Sequence, residues 1–348
     1  MSRPDPDLKA ILSALVEGRD LEGETVTAVF GALMDGRLDP AWQAAFLVAL
    51  RIKGETPVEL AAAARAMRRR AVPVEVPRPE LLVDTCGTGG DGADTLNIST
   101  AAALVTAAAG VPVAKHGNRS VSSRCGSADV LEALGVRLAL PPESLASLLE
   151  DPGIAFLFAP PLHPAMGAVM PVRRALGIRT TFNLLGPLTN PAGVRRQVVG
   201  VWGAEVQDLV AGALAELGAD HALVVHSADG LDELSVFAPS RVVVVREGRV
   251  AGEWTVDPGS LGLGGGDART LAGGTVEYNA ARLREVLAGE RSAAGDAVAL
   301  NAGAALVVAG RAADLAGGVE LAREVLEEGR ALGVLESLAR RSQELAGG

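Results

Sequence analysis

The residues best suited to chemistry fall in four short blocks, and the first is the densest. Residues 84–100 read DTCGTGGDGADTLNIST. Gly87, Gly89, Gly90 and Gly92 permit tight turns and let backbone N–H groups approach a ligand with no Cβ in the way. Thr95, Asn97, Ser99 and Thr100 add side-chain donors where a helix is expected to begin, a place that favours phosphate. No Gly-Lys-Ser/Thr follows, so this is not a Walker A loop. Gly87, Gly89 and Gly92 fall on the GxGxxG spacing without the rest of a dinucleotide fingerprint. Four glycines with four hydroxyl or amide side chains are more than an ordinary capped turn needs, and they point to anion binding.

The second block, residues 115–127, reads KHGNRSVSSRCGS, with three cations, four serines and no acid. Donors without competing carboxylates suit a ligand carrying several phosphates. The third, residues 229–235, reads DGLDELS. Its adjacent Asp232 and Glu233 admit two readings that spacing alone leaves level: hard oxygen ligands for Mg²⁺ beside phosphates, or an acidic pair at a helix N-terminus. The fourth, residues 161–191, holds Arg173 and Arg174 on a helix expected to start near Pro164. One could meet a substrate carboxylate, and at least one is expected on a solvated face.

These blocks need a scaffold, and the rest of the chain describes one. Leu8, Ile11, Leu12, Leu15 and Val16 form one apolar helical face, and Val26, Val29, Phe30 and Leu33 another. Asp39-Pro40 and Thr56-Pro57 with Glu59 read as helix starts, the second as a capping box. Arg68–Arg70 would end that helix against its dipole, and the proline-rich stretch 72–79 reads as a stiff linker. Beyond it, apolar runs at 81–83, 111–114, 154–158, 198–201 and 222–225 read as buried strands. Helical stretches at 99–109, 128–134 and 204–217 alternate with them, which predicts an α/β domain with a largely parallel sheet. Residues 241–250 read as an edge hairpin, and the last third returns to helices.

Composition narrows the partners. The 348 residues carry a net charge of −10, which as an average excludes a nucleic-acid coat or an anionic membrane surface. The balance is uneven. Residues 95–128 and 152–204 contain no acid and together carry +8, so the remaining 261 residues carry −18. A bound anion accounts for keeping acid out of both segments. Two cysteines can make neither a disulfide framework nor a four-Cys zinc site. With no leader pattern and no long uncharged apolar run, the expected setting is the reducing cytoplasm, away from membranes.

Taken in order, GTGGDG…T.NIST, KHGNR.VSS..GSADVLEALG, VRR.LG.RT.FNLLGPLTNP and DGLDE resemble the anthranilate phosphoribosyltransferase family of tryptophan biosynthesis. The likeness spans nearly the whole chain. It implies a small helical domain from residues 1–72 with about 171–191. Beside it would stand a large α/β domain of the nucleoside phosphorylase/phosphoribosyltransferase type, from 73–170 and 192–348. It also implies a homodimer and transfer of a 5-phosphoribosyl group from phosphoribosyl pyrophosphate to anthranilate. By motif, phosphoribosyl pyrophosphate would be surrounded by Gly87, Gly90, Asp91, Thr95, Asn97, Ile98, Ser99, Thr100, Lys115, His116, Gly117, Asn118, Arg119, Ser120, Val121, Ser122, Ser123 and Ser127. Gly87, Asn118 and Arg173 would meet anthranilate, and Ser99, Asp232 and Glu233 would hold two Mg²⁺ ions. No general base is assigned; Lys115 and His116 are expected to act electrostatically.

Two other functions fit parts of the pattern. A pyrimidine nucleoside phosphorylase of the same fold takes plain phosphate and has no need of the Asp232-Glu233 pair. A nucleic-acid-binding relative without activity needs a positive face, which −10 opposes. Cys86 and Cys125 lie within the ligand loops, so thiol alkylation is expected to slow turnover.

Overall fold

A computed structural model describes residues 7–120, 124–264 and 268–347. The chain opens with four helices: α1 (Leu8–Val16), α2 (Gly23–Met34), α3 (Pro40–Lys53) and α4 (Pro57–Arg68). Their starts follow the side chains that cap them. Asp7 and Asp39 each accept two N–H groups of the first turn, and Thr56 with Glu59 forms the expected reciprocal box. Glu59 does more than cap, because its buried carboxylate also accepts from Leu21 N at 2.8 Å and Lys53 Nζ at 2.9 Å, binding α3, α4 and the loop before α2 at one point.

The α/β part follows as β1 (Val83–Asp84), α5 (Ile98–Ala108), β2 (Val113–Gly117), α6 (Ser127–Ala133), α7 (Pro142–Glu150), β3 (Ile154–Phe158), α8 (Ala159–Leu162), α9 (Met170–Leu176) and α10 (Phe182–Leu185). Then come β4 (Arg196–Gly200), α11 (Ala204–Glu216), β5 (His221–Ser227), β6 (Ser240–Arg246), β7 (Arg249–Val256) and helices α12 (Val276–Leu287), α13 (Ala293–Val308), α14 (Leu315–Glu327) and α15 (Arg330–Gly347). Among the described residues the strands form one sheet in the order β3-β2-β1-β4-β5-β6-β7. The first five strands are parallel, and β6 and β7 add an antiparallel edge hairpin. Strand order reverses beside β1: the chain winds outward through β2 and β3, then returns to place β4 on the other side. In open α/β sheets ligands bind at such a reversal, outside the carboxyl ends of the strands.

Two apolar cores flank the sheet. One holds α5, α13, the inner faces of α14 and α15, and one sheet face. The other joins α1–α4 and α11 to the opposite face through Val199, Val224 and Val243, and takes in Val169, Val172, Phe182, Leu185 and Leu188. The stretch 169–188 therefore packs with the N-terminal helices even though the α/β region lies between them in sequence.

Local chemistry revises three expectations. Of the run 81–83 only Val83 is strand: Leu81 closes a 3-10 turn, Pro79–Leu81, that Pro79 opens, and the pairing is confined to Val83–Asp84. The helix expected from Pro164 is a 3-10 turn, Pro164–Ala168, followed by α9, which restarts with Pro171 in its first turn. Arg68 and Arg70 have partners beyond a helix dipole. Arg68 Nε donates to Leu188 O at 2.7 Å, and Arg70 pairs with Asp35 at 2.6 Å.

Candidate active site at the sheet reversal

The loop after β1 carries the glycine block, and β4 ends at Gly200. They are joined directly: Thr88 N donates to Gly200 O at 2.8 Å, and Thr88 Oγ1 donates to the same oxygen at 3.2 Å. Gly89, Gly90 and Gly92 all have positive φ (64°, 81° and 78°), the left-handed region glycine tolerates, so the loop can turn back over the strand ends. Into this junction comes the turn after β5. A Cβ on Gly87 would lie 3.3 Å from Asp232 Oδ2 and 3.1 Å from Gly200 O.

Residues 228–239 form neither helix nor strand, so the helix-terminus reading of Asp232-Glu233 falls away. Glu233 Oε1 accepts the N–H of Ser99, in the first turn of α5, at 3.1 Å, while Glu233 Oε2 is buried with no partner. The Asp232 carboxylate takes the N–H of Gly89, and Asp232 N faces Asp91 Oδ2 at 3.4 Å. Burial, then the charge of Asp91, pushes Asp232 up to about 7; burial and Asp232 raise Glu233 well above the usual carboxylate range. An orphaned carboxylate oxygen, a second carboxylate and a hydroxyl at Ser99 make a hard-oxygen set that fits Mg²⁺ completed by substrate oxygens. Among the described residues no three His, Cys, Asp or Glu side chains form a cage of their own.

Lys115, on β2, is 3% exposed. Its Nζ donates to Thr85 O at 3.1 Å and Thr85 Oγ1 at 3.3 Å, and lies 3.4 Å from Ser99 Oγ. Its strand is fixed by Asp84, which accepts His116 N at 3.2 Å and Asn190 Nδ2 at 2.8 Å. Burial raises Asp84 to about 6 despite the pull of Lys115. One cation thus stands between two parallel strands at the start of α5.

His116 is different from the expectation. Its Nδ1 faces Gly186 O at 2.9 Å and its Nε2 faces His163 Nε2 at 3.1 Å. A carbonyl can only accept, so Nδ1 carries the proton and Nε2 receives one from His163. Burial depresses His116 to about 4 and His163 to about 3, so both rings are neutral at neutral pH. The electrostatic share expected of His116 is corrected: it adds no cation beside Lys115.

The remaining expected residues divide. Thr100 is 1% exposed, with a buried hydroxyl that has no partner. Asn97 has its amide committed to Cys125 O (3.0 Å) and Asn279 (3.1 Å), so it braces the loops. Ile98 packs in the core, and Thr95 bridges Ala272. Asn118 is exposed, while its backbone carbonyl accepts from Ala128 N and Ser127 Oγ at 3.2 Å. A Cβ on Gly117 would meet Ser127 Oγ at 2.6 Å. The Arg119 guanidinium pairs through Nη1 with Asp129 and Glu132, each at 2.9 Å. Ser120 N donates to Asp129 Oδ2 at 3.2 Å. Val121, Ser122 and Ser123 lie outside the described residues.

Arg173 lies over the ring of Phe182, 5.5 Å from its centroid, with no carboxylate partner among the described residues; Arg174 is exposed. The alkylation expectation is corrected as well. Cys86 and Cys125 are 9% and 5% exposed. Burial pushes both thiols up, Cys125 to about 11, so neither offers the thiolate that alkylation needs.

Sequence reasoning passed over His163, Arg179, Gly200 and Asn301. Arg179 reaches across from the α9–α10 loop, donating to Gly90 O and stacking 4.7 Å above Trp202. The acid-free stretch that contains it was its signal.

The site belongs to a glycosyl-transferring enzyme built from a helical bundle and an α/β domain, as its family shows. The pattern described as "Glycosyl transferase family, a/b domain" matches residues 79–332, and that of the family's helical bundle domain matches residues 9–71. Within that class, the chain belongs to the anthranilate phosphoribosyltransferase family. It is 50% identical to the anthranilate phosphoribosyltransferases of Desulfatibacillum aliphaticivorans and Halorhodospira halophila, covering 96% and 98% of this chain and 98% and 99% of theirs. The crystal structure of anthranilate phosphoribosyltransferase from Thermus thermophilus superposes with a TM-score of 0.90 at 49% identity, covering 96% of this chain and 99% of that one. The Saccharomyces cerevisiae enzyme in complex with PRPP and Mg superposes with a TM-score of 0.89 at 27% identity, covering 97% and 98%.

Proposed function

We propose that this chain transfers the 5-phosphoribosyl group of phosphoribosyl pyrophosphate to the amine of anthranilate, releasing pyrophosphate, as a step of tryptophan biosynthesis. The observation that carries the reading is the meeting of three elements at the sheet reversal. These are the glycine loop after β1, the Ser99 start of α5 beside Lys115, and the Asp232–Glu233 turn bonded to both. The amine nitrogen bonds to C1 of the ribose as the bond from C1 to the pyrophosphate oxygen breaks, and the proton that the nitrogen sheds leaves with the pyrophosphate or to water. Backbone N–H groups of the glycine loop and the Lys115 ammonium oppose the charge gathering on the leaving group. Ser99, Asp232 and Glu233 would hold Mg²⁺, two ions in this reading, which when bound neutralises pyrophosphate charge. Arg173 and Asn118 would orient anthranilate, and positioning supplies much of the rate. No general base is required of His116, whose free lone pair already accepts from His163.

The carboxylate pair favours this reading over a nucleoside phosphorylase, since plain phosphate has no comparable charge to neutralise. A homodimer in the cytoplasm belongs to the same proposal. The test follows anthranilate fluorescence with phosphoribosyl pyrophosphate and Mg²⁺. Fluorescence should fall only when protein and all three components are together; no fall under any condition would sink the proposal.

A further inference from the structure

We propose that Asn301 is a positioning residue for the metal-binding turn: from α13 it clamps Leu234 and so sets where Asp232 and Glu233 stand. The inference rests on the functional reading above and deepens it.

Helix α13 reads AAGDAVALNAGAALVV, and Asn301 is an amide in the middle of an otherwise apolar run, 5% exposed. A buried amide is costly unless every group is bonded. Here the bonds go to one place. Leu234 N donates to Asn301 Oδ1 at 3.0 Å, and Asn301 Nδ2 donates to Leu234 O at 2.9 Å and to Ala297 O at 2.9 Å. Both backbone groups of Leu234 are thus paired as a neighbouring strand would pair them, in a segment that belongs to no strand. The bond to Ala297, one turn back, holds the amide plane against α13 itself.

The anchor is rigid. Two residues on, Gly303 lies so close to α14 that a Cβ would meet Val319 N at 2.8 Å, and one on Gly318 would meet Gly303 O at 2.5 Å. The held residue follows Glu233 directly. Residues 228–239 lie in no helix or strand, so no regular backbone ladder keeps the turn that carries Asp232 and Glu233 from opening. A bond pair at Leu234, adjacent to the carboxylates and on a fixed helix, resists that opening. Supporting groups of this kind set whether a ligand shell is ready or loose.

The alternative is that Asn301 only satisfies buried backbone, and the experiment separates the two. Mn²⁺ replaces Mg²⁺ as probe, and its uptake by the full chain with saturating phosphoribosyl pyrophosphate is read by electron paramagnetic resonance, beside the melting temperature. Asn301→Ala should weaken Mn²⁺ binding about tenfold. Asn301→Ser, whose hydroxyl can still bond Ala297 O, is the milder variant should alanine fail to fold, and should weaken binding at least several-fold. Ser342→Ala is the control: Ser342 is fully buried and accepts Arg137 N at 2.9 Å, on α15, so its loss should lower the melting temperature and leave Mn²⁺ binding unchanged. Wild-type binding with Asn301 variants that match it overturns the positioning role alone. A wild type that binds no Mn²⁺ with phosphoribosyl pyrophosphate overturns the functional reading, and this inference with it.

Discussion

Gly200 and Asp232 stand so close that a Cβ on residue 200 would sit 1.5 Å from the Asp232 carbonyl oxygen. No rotamer choice relieves such a contact, because both atoms are fixed to backbone. The end of β4 is therefore glycine so that the carboxylate turn can lie across it, while Gly200 O accepts two bonds from Thr88 on the other side. Gly200→Ala must push the turn or the glycine loop away. Turnover is expected to fall by about 100-fold or more, the scale of loss for an ångström-sized misplacement, with the circular dichroism of a folded protein. Near-normal turnover would mean the turn has slack that these contacts deny.

How much of this was legible beforehand depends on where each signal lives. Asp39-Pro40 and Thr56-x-x-Glu59 name helix starts because caps act within four residues. Strand β3 was readable from its apolar run alone. Glycine block, basic block and carboxylate pair announced themselves through residue type. What stayed hidden was pairwise. Asn97 and Arg119 have suitable chemistry, yet Asn97 also bonds Cys125 and Asn279, and Arg119 also pairs with Asp129 and Glu132, which no local pattern reveals. Gly200 and Asn301 have meaning only through residues 32 and 67 positions away in the chain, Asp232 and Leu234.

The carboxylate pair should cost stability while it serves the metal. Both groups are raised first by burial, then by the charge of Asp91 on Asp232 and of Asp232 on Glu233, so the folded state holds protons that the unfolded chain releases near pH 4. Their contribution therefore worsens as pH rises through about 7, Asp232's value. In metal-free buffer, Asp232→Asn with Glu233→Gln should melt a few degrees higher than wild type, with the gap widening from pH 5 to pH 8. The same variant should lose its normal Mg²⁺ response. A gap that shrinks with rising pH would show that the two carboxyls are not held in the way their surroundings imply.

Arg173 offers a cleaner division between substrates. Its guanidinium rests on Phe182 and has no carboxylate partner among the described residues, which leaves it available to an anionic aromatic acid. Arg173→Ala should raise the KM for anthranilate by roughly 10-fold or more, the scale of one lost charge-assisted bond, and leave that for phosphoribosyl pyrophosphate within about twofold. Kinetics varying each substrate in turn decide the matter, and the reverse pattern would move Arg173 to the phosphate side.

The His116–His163 pair predicts an acid sensitivity that can be isolated. In the unfolded chain each ring takes a proton near pH 6.5, whereas in the folded protein burial holds His116 near 4 and His163 near 3. Both contribute stability that is complete above pH 6.5 and is lost as pH falls, at up to about 1.4 kcal/mol per pH unit for each ring. His163→Gln removes one of the two, and a glutamine amide can still donate to His116 Nε2. The raised carboxyls of Asp84, Asp232 and Glu233 titrate in the opposite sense, but they are common to both proteins and cancel in the comparison. Between pH 7 and pH 5, the variant should therefore lose about 2 kcal/mol less unfolding free energy than wild type. Urea titrations at the two pH values measure this directly. Equal losses would mean that His163 accepts protons in the folded state as readily as in the unfolded chain, which its partner at 3.1 Å and its burial do not permit.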